Sequence, residues 1–547
     1  MRRLWNCALA IHKLPNELLL QIFEYFPHTS WTRRDEFGQF VWVELGWPGL
    51  MLVCHHWRNL LVSAPAFWRE VNLRQQTDWT TLCLSRSAPY SIIVRAQDCP
   101  LEHLGDIQSH VHRLKEFHFS NDMSHFSLLP VLGPLFDGGM PLLETLQLTG
   151  RTTQWRGCPI RINLQITSDR FPSLQVLALQ ASGTIVVPQD LSLYAQLHKL
   201  ELDGCFPQLS LDGFLNALAA STQLEELHLS WGVLADLPGA EWPQHVPYRT
   251  PVSLPRLRDF LLDEYRIDRI SSFLAHLLLP PSAALFIQGR FSDETTNTVD
   301  AMLPPNRSTT LPALSLAANA HLTIQDGGYT IGCDDARSRI DIPENSQSPQ
   351  ATFKLAPGNP VSRFWNLNPG LGQGLDDLVH ALGPSPLRRL CVDGTAGAVA
   401  AWERVFRAFP LLEDFTVVDR AYYRDARNVT SAFRGLHAAS STAHADPDSD
   451  SDSGTVACPN LREIRVEGTG TTEMFQAMRD CFQYRRDRGA ILESLDVEGM
   501  VGWADVPSRL VRDISAAVKT IRTTTNDMSE WERGQHENDH LDRWPEG

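Results

Sequence analysis

One short pattern returns ten times between residues 114 and 497: Leu-x-x-Leu-x-Leu, with Phe, Ile or Val sometimes substituting. It stands at Leu114-Phe117-Phe119, Leu143-Leu146-Leu148, Leu174-Leu177-Leu179, Leu197-Leu200-Leu202, Leu224-Leu227-Leu229 and Leu257-Phe260-Leu262. It resumes at Leu387-Leu390-Val392, Leu412-Phe415-Val417, Leu461-Ile464-Val466 and Leu492-Leu495-Val497. Apolar residues at alternate positions predict short strands with one buried face. Pro141, Pro172, Pro255, Pro410 and Pro459 precede five copies, and helix-like segments lie between copies, as in 211–220, 402–409 and 474–482. The unit is thus a strand, a turn and a helix, and each strand buries its apolar side chains only by stacking on its neighbours.

First positions are separated by 29, 31, 23, 27, 33, 130, 25, 49 and 31 residues, mostly in or near the range of leucine-rich repeats. The expected fold class is α/β: an irregular solenoid over residues 75–523 with a parallel sheet on its concave face. The alternative is a set of unrelated strands in another α/β domain. Only the fourth copy, ending Leu202-Asp203-Gly204-Cys205, completes a Leu-x-x-Asn/Cys turn. The 130-residue interval holds strand-like Leu285-Phe286-Ile287, Leu322-Thr323-Ile324, Tyr329-Thr330-Ile331 and Phe353-Lys354-Leu355. Residues 282–386 therefore read either as eroded repeats with long loops or as an inserted β domain. Residues 437–455 end in Asp448-Ser449-Asp450-Ser451-Asp452-Ser453, too polar to bury, and are expected to form a disordered acidic loop open to acid-directed phosphorylation. Residues 524–547 are expected to be a polar tail. Before it, Leu510, Ile514, Val518 and Ile521 form an amphipathic stripe suited to capping the solenoid.

The first 74 residues follow a different rule. Leu14-Pro15-Asn16-Glu17-Leu18 opens an apolar run through Phe26, and Pro15 suits the first turn of a helix. Leu18, Ile22 and Phe26 recur at i, i+4 and i+8, with Leu19 and Phe23 flanking them. Leu50, Val53, Cys54 and Trp57 recur at i, i+3, i+4 and i+7, as one face of a second helix would. Pro65-Ala66-Phe67-Trp68 follows. A helix cluster this small has too little material to cover its own apolar surface, so it is expected to dock on a partner. An ordinary helical hairpin packed on the rest of the chain satisfies the same periodicity.

The order Leu-Pro-x-Glu-Leu, Ile-Phe, Val-Cys-x-x-Trp and Pro-x-x-Trp resembles the F-box, which plugs adaptors into Skp1–cullin ubiquitin ligases. It covers about a tenth of the chain. The resemblance implies that Leu14, Pro15, Leu18, Ile22, Val53, Cys54 and Trp57 form the Skp1-binding surface or its immediate support. The repeat part is similar to the leucine-rich-repeat substrate-binding regions of F-box proteins of the fungal type. There are two departures from the F-box pattern. The connection from Phe26 to Leu50 is long and carries Trp31, Phe37, Phe40, Trp42 and Trp47, and His55-His56 stands where the family often has basic residues.

Composition narrows the alternatives. The net charge is −16, and residues 1–74 hold eight Lys+Arg against six Asp+Glu, which leaves −18 on the remainder. Nucleic acid is therefore not expected as the main partner, because phosphate contacts need a basic surface. Ten scattered cysteines without a Cys-x-x-Cys pair read as mostly reduced core residues of a cytoplasmic or nuclear protein. Met1-Arg2-Arg3 before 4–11 superficially resembles a signal peptide but lacks a cleavage site, and the 273–287 stretch is too short to span a bilayer. No membrane partner is expected, and the sequons at Asn306 and Asn428 are expected to stay unglycosylated.

Catalytic signals are sparse. His536-Glu537-Asn538-Asp539-His540 fits the His-Glu-x-x-His zinc-peptidase pattern, yet it stands in a polar tail with no apolar stripe and no downstream third ligand. It reads as a chance match. Gly370-Leu371-Gly372-Gln373-Gly374 departs from dinucleotide spacing and reads as a loop. No phosphate loop, nucleophile elbow or cysteine-protease signature is present. Neither catalysis, a cofactor nor a metal is expected.

The strand residues flanking the last two apolar positions of each copy point away from the buried face. Among these thirty, twelve are acidic (including Glu201, Asp203, Glu226, Asp259, Asp414, Glu463 and Asp496) and three basic: Lys199, Arg389 and Arg465. A target protein with a basic segment is the partner this bias suggests. The expected function is a non-catalytic adaptor: the N-terminal module binds Skp1 in a cullin ligase and the repeats hold a target for ubiquitination. The alternatives are a scaffold outside any ligase, or a repeat protein whose first helices merely cap the solenoid.

Overall fold

The structure, a computed structural model, describes residues 10–26, 31–34, 40–43, 47–73, 77–97, 99, 103–121, 129–150, 162–181, 185–234, 237, 251–290, 298–325, 328–335, 350–356, 371–394, 397–419, 427–441, 456–468, 470–498 and 507–524. It divides into two compact units, Met1–Ala240 and Glu241–Gly547. The fold is mixed α/β, with N-terminal helices followed by mostly parallel strands.

In the first unit, Trp31–Arg34 (β1) and Phe40–Val43 (β2) form an antiparallel hairpin within the long connection of the N-terminal module. A parallel sheet follows in chain order: Glu70–Asn72 (β3), Ile92–Gln97 (β4), Leu114–Asn121 (β5), Thr145–Gly150 (β6), Val176–Ala181 (β7), Lys199–Asp203 (β8) and Glu226–Ser230 (β9). The pattern leucines form continuous rows: Leu146, Leu177, Leu200 and Leu227 are successive register partners, as are Leu148, Leu179, Leu202 and Leu229.

In the second unit, Val252–Ser253 (β10) pairs with Leu277–Leu278 (β12). The main strands are Asp259–Glu264 (β11), Ala284–Arg290 (β13), Asn319–Gln325 (β14), Gly328–Asp334 (β15), Ala351–Ala356 (β16), Arg389–Asp393 (β17), Asp414–Val418 (β18), Glu463–Glu467 (β19), Leu492–Glu498 (β20) and Val518–Thr524 (β21). Their lateral order is β11, β13, β16, β15, β14, β17, β18, β19, β20, β21. Only β15 runs against its neighbours.

All thirty apolar pattern residues are buried, none exposed above 2%. At roughly 2 kcal/mol for each fully buried aliphatic side chain, this spine is a large favourable contribution to the repeat region. Cys205 at the fourth copy's turn is buried, and its thiol donates to the Leu179 carbonyl oxygen at 3.1 Å, tying one repeat to the one before.

The structure departs from the sequence pattern at several places. Residues 282–386 are neither simple eroded repeats nor a separate domain. Their strands β13, β16 and β14 run parallel within the second unit's sheet, but the β14–β15 hairpin reverses the local order. The Gln325–Gly328 register pair leaves Asp326-Gly327 between the strands, a dipeptide that favours two-residue hairpins. The stripe through Val518 and Ile521 is not one helix. The helix ends at Ala517, and Val518–Thr524 pairs in parallel with β20. Gly372 and Gly374 lie in the helix Leu371–Leu382, not in a loop. The helix Arg427–Ser441 covers the start of the segment read as disordered from 437, and Ser440 is buried. Residues 442–455 and 525–547, including the His-Glu-x-x-His match, lie outside the described residues.

Candidate functional site

The N-terminal module begins with a 3-10 turn, Ala10–Lys13, and helix α1, Asn16–Glu24, which Pro15 precedes in extended geometry (φ −55°, ψ 149°). Leu19 and Phe23, four residues apart, are fully buried. The neighbouring stripe faces outward: Leu18 is 44% exposed, Ile22 38% and Phe26 42%. Only one of these two adjacent stripes fits inside so small a module, and the inner one is Leu19–Phe23.

The second segment departs from the single helix face predicted for Leu50, Val53, Cys54 and Trp57. Trp47–Leu52 is a 3-10 turn, and Cys54 is extended and caps helix α2, His55–Val62. The Trp57 N–H donates to the Cys54 sulfur at 3.4 Å. The break turns Leu50 inward, while Leu52 and Val53 are left 77% and 56% exposed. Helix α1 packs on both this turn and α2.

Aromatic side chains hold the module together. The Trp57 ring lies 4.7 Å from Phe23 and 5.9 Å from His12. Buried Trp68 donates its indole N–H to the Leu61 carbonyl at 2.9 Å and meets Trp47 edge-on at 4.9 Å. The Arg86 guanidinium lies 4.8 Å over Trp68 and donates to the Val62 carbonyl. These contacts anchor the module to the first repeat helix, Thr77–Arg86, within the same unit.

Of the seven residues predicted here, Pro15, Leu18, Ile22 and Val53 are exposed, whereas Leu14, Cys54 and Trp57 are half-buried. Trp57 and Cys54 thus brace the surface more than they present it. Sequence reading missed Leu52 and Tyr25, the latter 88% exposed. A 3-10 turn offers no helical period by which Leu52 is told from Leu50.

The outward strand positions form a second surface. Glu201, Asp203, Glu226, Asp259, Asp414, Glu463 and Asp496 all lie opposite the buried leucines of their strands, half-buried except for exposed Glu463. Several are engaged. Lys199 Nζ lies 2.8 Å from Glu226 and 3.7 Å from Glu201, and Gln180 donates to Glu201 at 2.5 Å. Arg389 pairs with Asp414 at 2.8 Å; burial still holds that carboxyl above its usual range.

The face also carries bases on strands outside the ten copies. Arg95 pairs with Glu70 at 2.6 Å, Arg290 pairs with Asp263 at 3.0 Å, and Lys354 and Arg522 are exposed. The acidic excess is therefore smaller than the copies alone suggest. Trp231, directly after β9, is 48% exposed with φ +56°, and sequence reading missed it because the repeat pattern ends two residues earlier. Among the described residues, no group of three His, Cys, Asp or Glu side chains is placed to hold a metal ion. No helix among them is long and apolar enough to cross a membrane.

Among solved structures, the chain is similar to a leucine-rich-repeat protein of Leptospira interrogans at 9% identity and a TM-score of 0.24. The match covers 81% of this chain and 80% of that one, a likeness too loose to carry an inference. No curated protein matches the chain. The family comparison bears on the helical module: residues 11–74 match the F-box-like model, so this part of the chain is an F-box-like domain.

Proposed function

We propose that the chain is a substrate-recognition adaptor of a Skp1–cullin–F-box ubiquitin ligase. The carrying observation is the apolar surface of the F-box-like domain, where Leu18, Ile22, Phe26, Leu52 and Val53 are each 38–77% exposed. Several exposed large apolar side chains in so small a domain mark a protein-interaction site. In this reading Skp1 covers those side chains, supported from behind by Leu14, Cys54 and Trp57. The chain contributes no catalytic residue: it holds the target's lysines beside an activated ubiquitin thioester and so raises their effective concentration.

The target is held on the outward strand face through Glu201, Asp203, Glu226, Asp259, Asp414, Glu463 and Asp496, with exposed Trp231 as a further contact. Acidic groups among Gln, Thr and Ser suit a basic segment, and an exposed indole suits a guanidinium or ammonium group. The compartment is cytoplasmic or nuclear.

Affinity capture of the full chain tests both halves. Skp1 and a cullin co-purify with the unmodified chain and are lost when Leu18 and Leu52 are replaced by Glu. Reversal of Glu201, Glu226 and Glu463 to Lys releases the target and leaves Skp1 bound. Skp1 retained without any cullin identifies instead a scaffold outside the ligase, and loss of neither Skp1 nor target refutes the assignment of both surfaces.

A further inference from the structure

The third inward position of the repeat strands is taken by a small residue in β6 and β7, Gly150 and Ala181. In β11 it is Glu264, whose side chain is 1% exposed. Phe260, Leu262 and Glu264 share the buried face, and Gly289 of β13 stands in register beside the carboxyl-bearing residue. The space at Gly289 is bounded by Ile267, Ile270 and Met302, so the surroundings are largely apolar.

Two donors and one cation serve this carboxyl group. The Tyr265 N–H donates to Oε1 at 2.8 Å, and the Arg266 N–H also bonds it. Arg269, from the helix Ile267–Leu274, holds its Nη1 4.0 Å from Oε1, beyond hydrogen-bond distance. The Nε–H of Arg269 is buried without an acceptor among the described residues. A carboxyl group and a guanidinium are thus packed together without meeting.

We propose that Glu264 and Arg269 form a proton-operated latch between β11 and the helix Ile267–Leu274, shut while Glu264 is protonated and loosened when it ionises, because the guanidinium stands too far off to offset a buried negative charge. Nearby charges oppose one another: Arg269 attracts the carboxylate and Asp263 on the same strand repels it. Asp263 is itself engaged by Arg290, which lies over the Tyr265 ring, and Arg266 is engaged by Asp268. Burial dominates and pushes the Glu264 carboxyl up to about 7, from an ordinary 4.5. The latch therefore works near neutrality.

The sign follows from proton uptake. Between pH 4.5 and about 7 the unfolded chain has released this proton and the folded chain retains it, so local stability falls as pH rises and then levels off. The two and a half pKa units correspond to about 300-fold in the local opening equilibrium. Asp259 and Asp263 ride on this strand, so the order of part of the outward face responds to pH.

Hydrogen exchange of the full-length protein between pH 5 and pH 8.5, corrected for intrinsic rates, reads the opening of residues 259–274 directly. Unmodified protein loses protection there by about 70-fold between pH 5 and pH 8.5, the part of the full span that lies in this range. Glu264→Gln, which stays neutral, holds its protection flat, and Arg269→Gln moves the unmodified protein's transition to higher pH by removing the attracting cation. Parallel profiles for the unmodified chain and Glu264→Gln, or an unmoved transition in Arg269→Gln, overturn the latch. If Glu264→Gln fails to fold, the Arg269→Gln transition alone decides.

Discussion

Leu18 and Leu19 are neighbours in sequence and in helix α1, yet the structure buries one and exposes the other. Leu19 is fully buried, so Leu19→Ala leaves a cavity and costs about 2–5 kcal/mol of stability. Leu18 is 44% exposed and Leu52 77% exposed. Truncating both to Ala removes little from the free protein but takes apolar surface from the proposed interface with Skp1. Three carbons from each side chain, at about 0.8 kcal/mol per buried carbon and scaled by exposure, amount to about 2–3 kcal/mol. That weakens binding by about 30- to 150-fold. Calorimetric titration with recombinant Skp1 measures the loss, and urea unfolding measures stability in the same preparations. The expected pattern is a Leu18→Ala/Leu52→Ala protein with an unchanged urea midpoint and weak Skp1 binding. The Leu19→Ala protein has the reverse: a lowered midpoint, with affinity retained in the fraction still folded. Unchanged affinity in the double variant, or a midpoint lowered as far as in Leu19→Ala, refutes the division of α1 into an inner and an outer stripe.

Two further outcomes are expected. Asn428 is buried and bridges two repeats, donating to the Gly394 carbonyl at 2.6 Å and accepting from the Trp402 indole at 3.2 Å, so Asn428→Ala strands both groups and costs about 2–4 kcal/mol; urea unfolding of Asn428→Ala, Trp402→Phe and the double variant shows the coupling as non-additivity. Burial pushes Cys83, Cys205, Cys333, Cys458 and Cys481 up to about 12, whereas Cys54 and Cys391 are partly exposed; native-state alkylation read by mass spectrometry therefore labels Cys54 and Cys391 well before those five.

The repeat strands were legible because their signal is redundant: ten similar patterns, each alternating with period two, specify one buried face. Where the pattern thinned, reading failed for identifiable reasons. The antiparallel β15 was announced by Asp326-Gly327 between alternating apolar residues, a local turn signal overlooked beside the longer repeat. Val518 and Ile521 fit a helical period with Leu510 and Ile514, but the β-branched run Val518, Thr520, Ile521, Thr523 and Thr524 favoured a strand, and pairing with β20 decided it. The F-box-like domain was legible as a motif. Its outward surface was only partly so, because Leu18 and Leu19 look alike in a sequence and only packing decides which is covered. The strand face is less acidic than the ten copies alone imply, because the bases at Arg95, Arg290, Lys354 and Arg522 stand on strands outside the repeat pattern.

The reversed hairpin has a consequence for assembly. From β17 to β21 each added strand joins the one before it, so folding can advance by increments between near neighbours in the chain. From β13 the polypeptide passes over two lateral places to lay down β14, returns through β15 to β16 beside β13, and crosses again to place β17 against β14. The β13–β16 and β14–β17 pairings join residues far apart in the chain, Leu285 with Ala351 and Asn319 with Arg389. Residues 284–393 therefore carry a higher contact order than the parallel strands β17 to β21, and topology makes this segment the slower one to assemble.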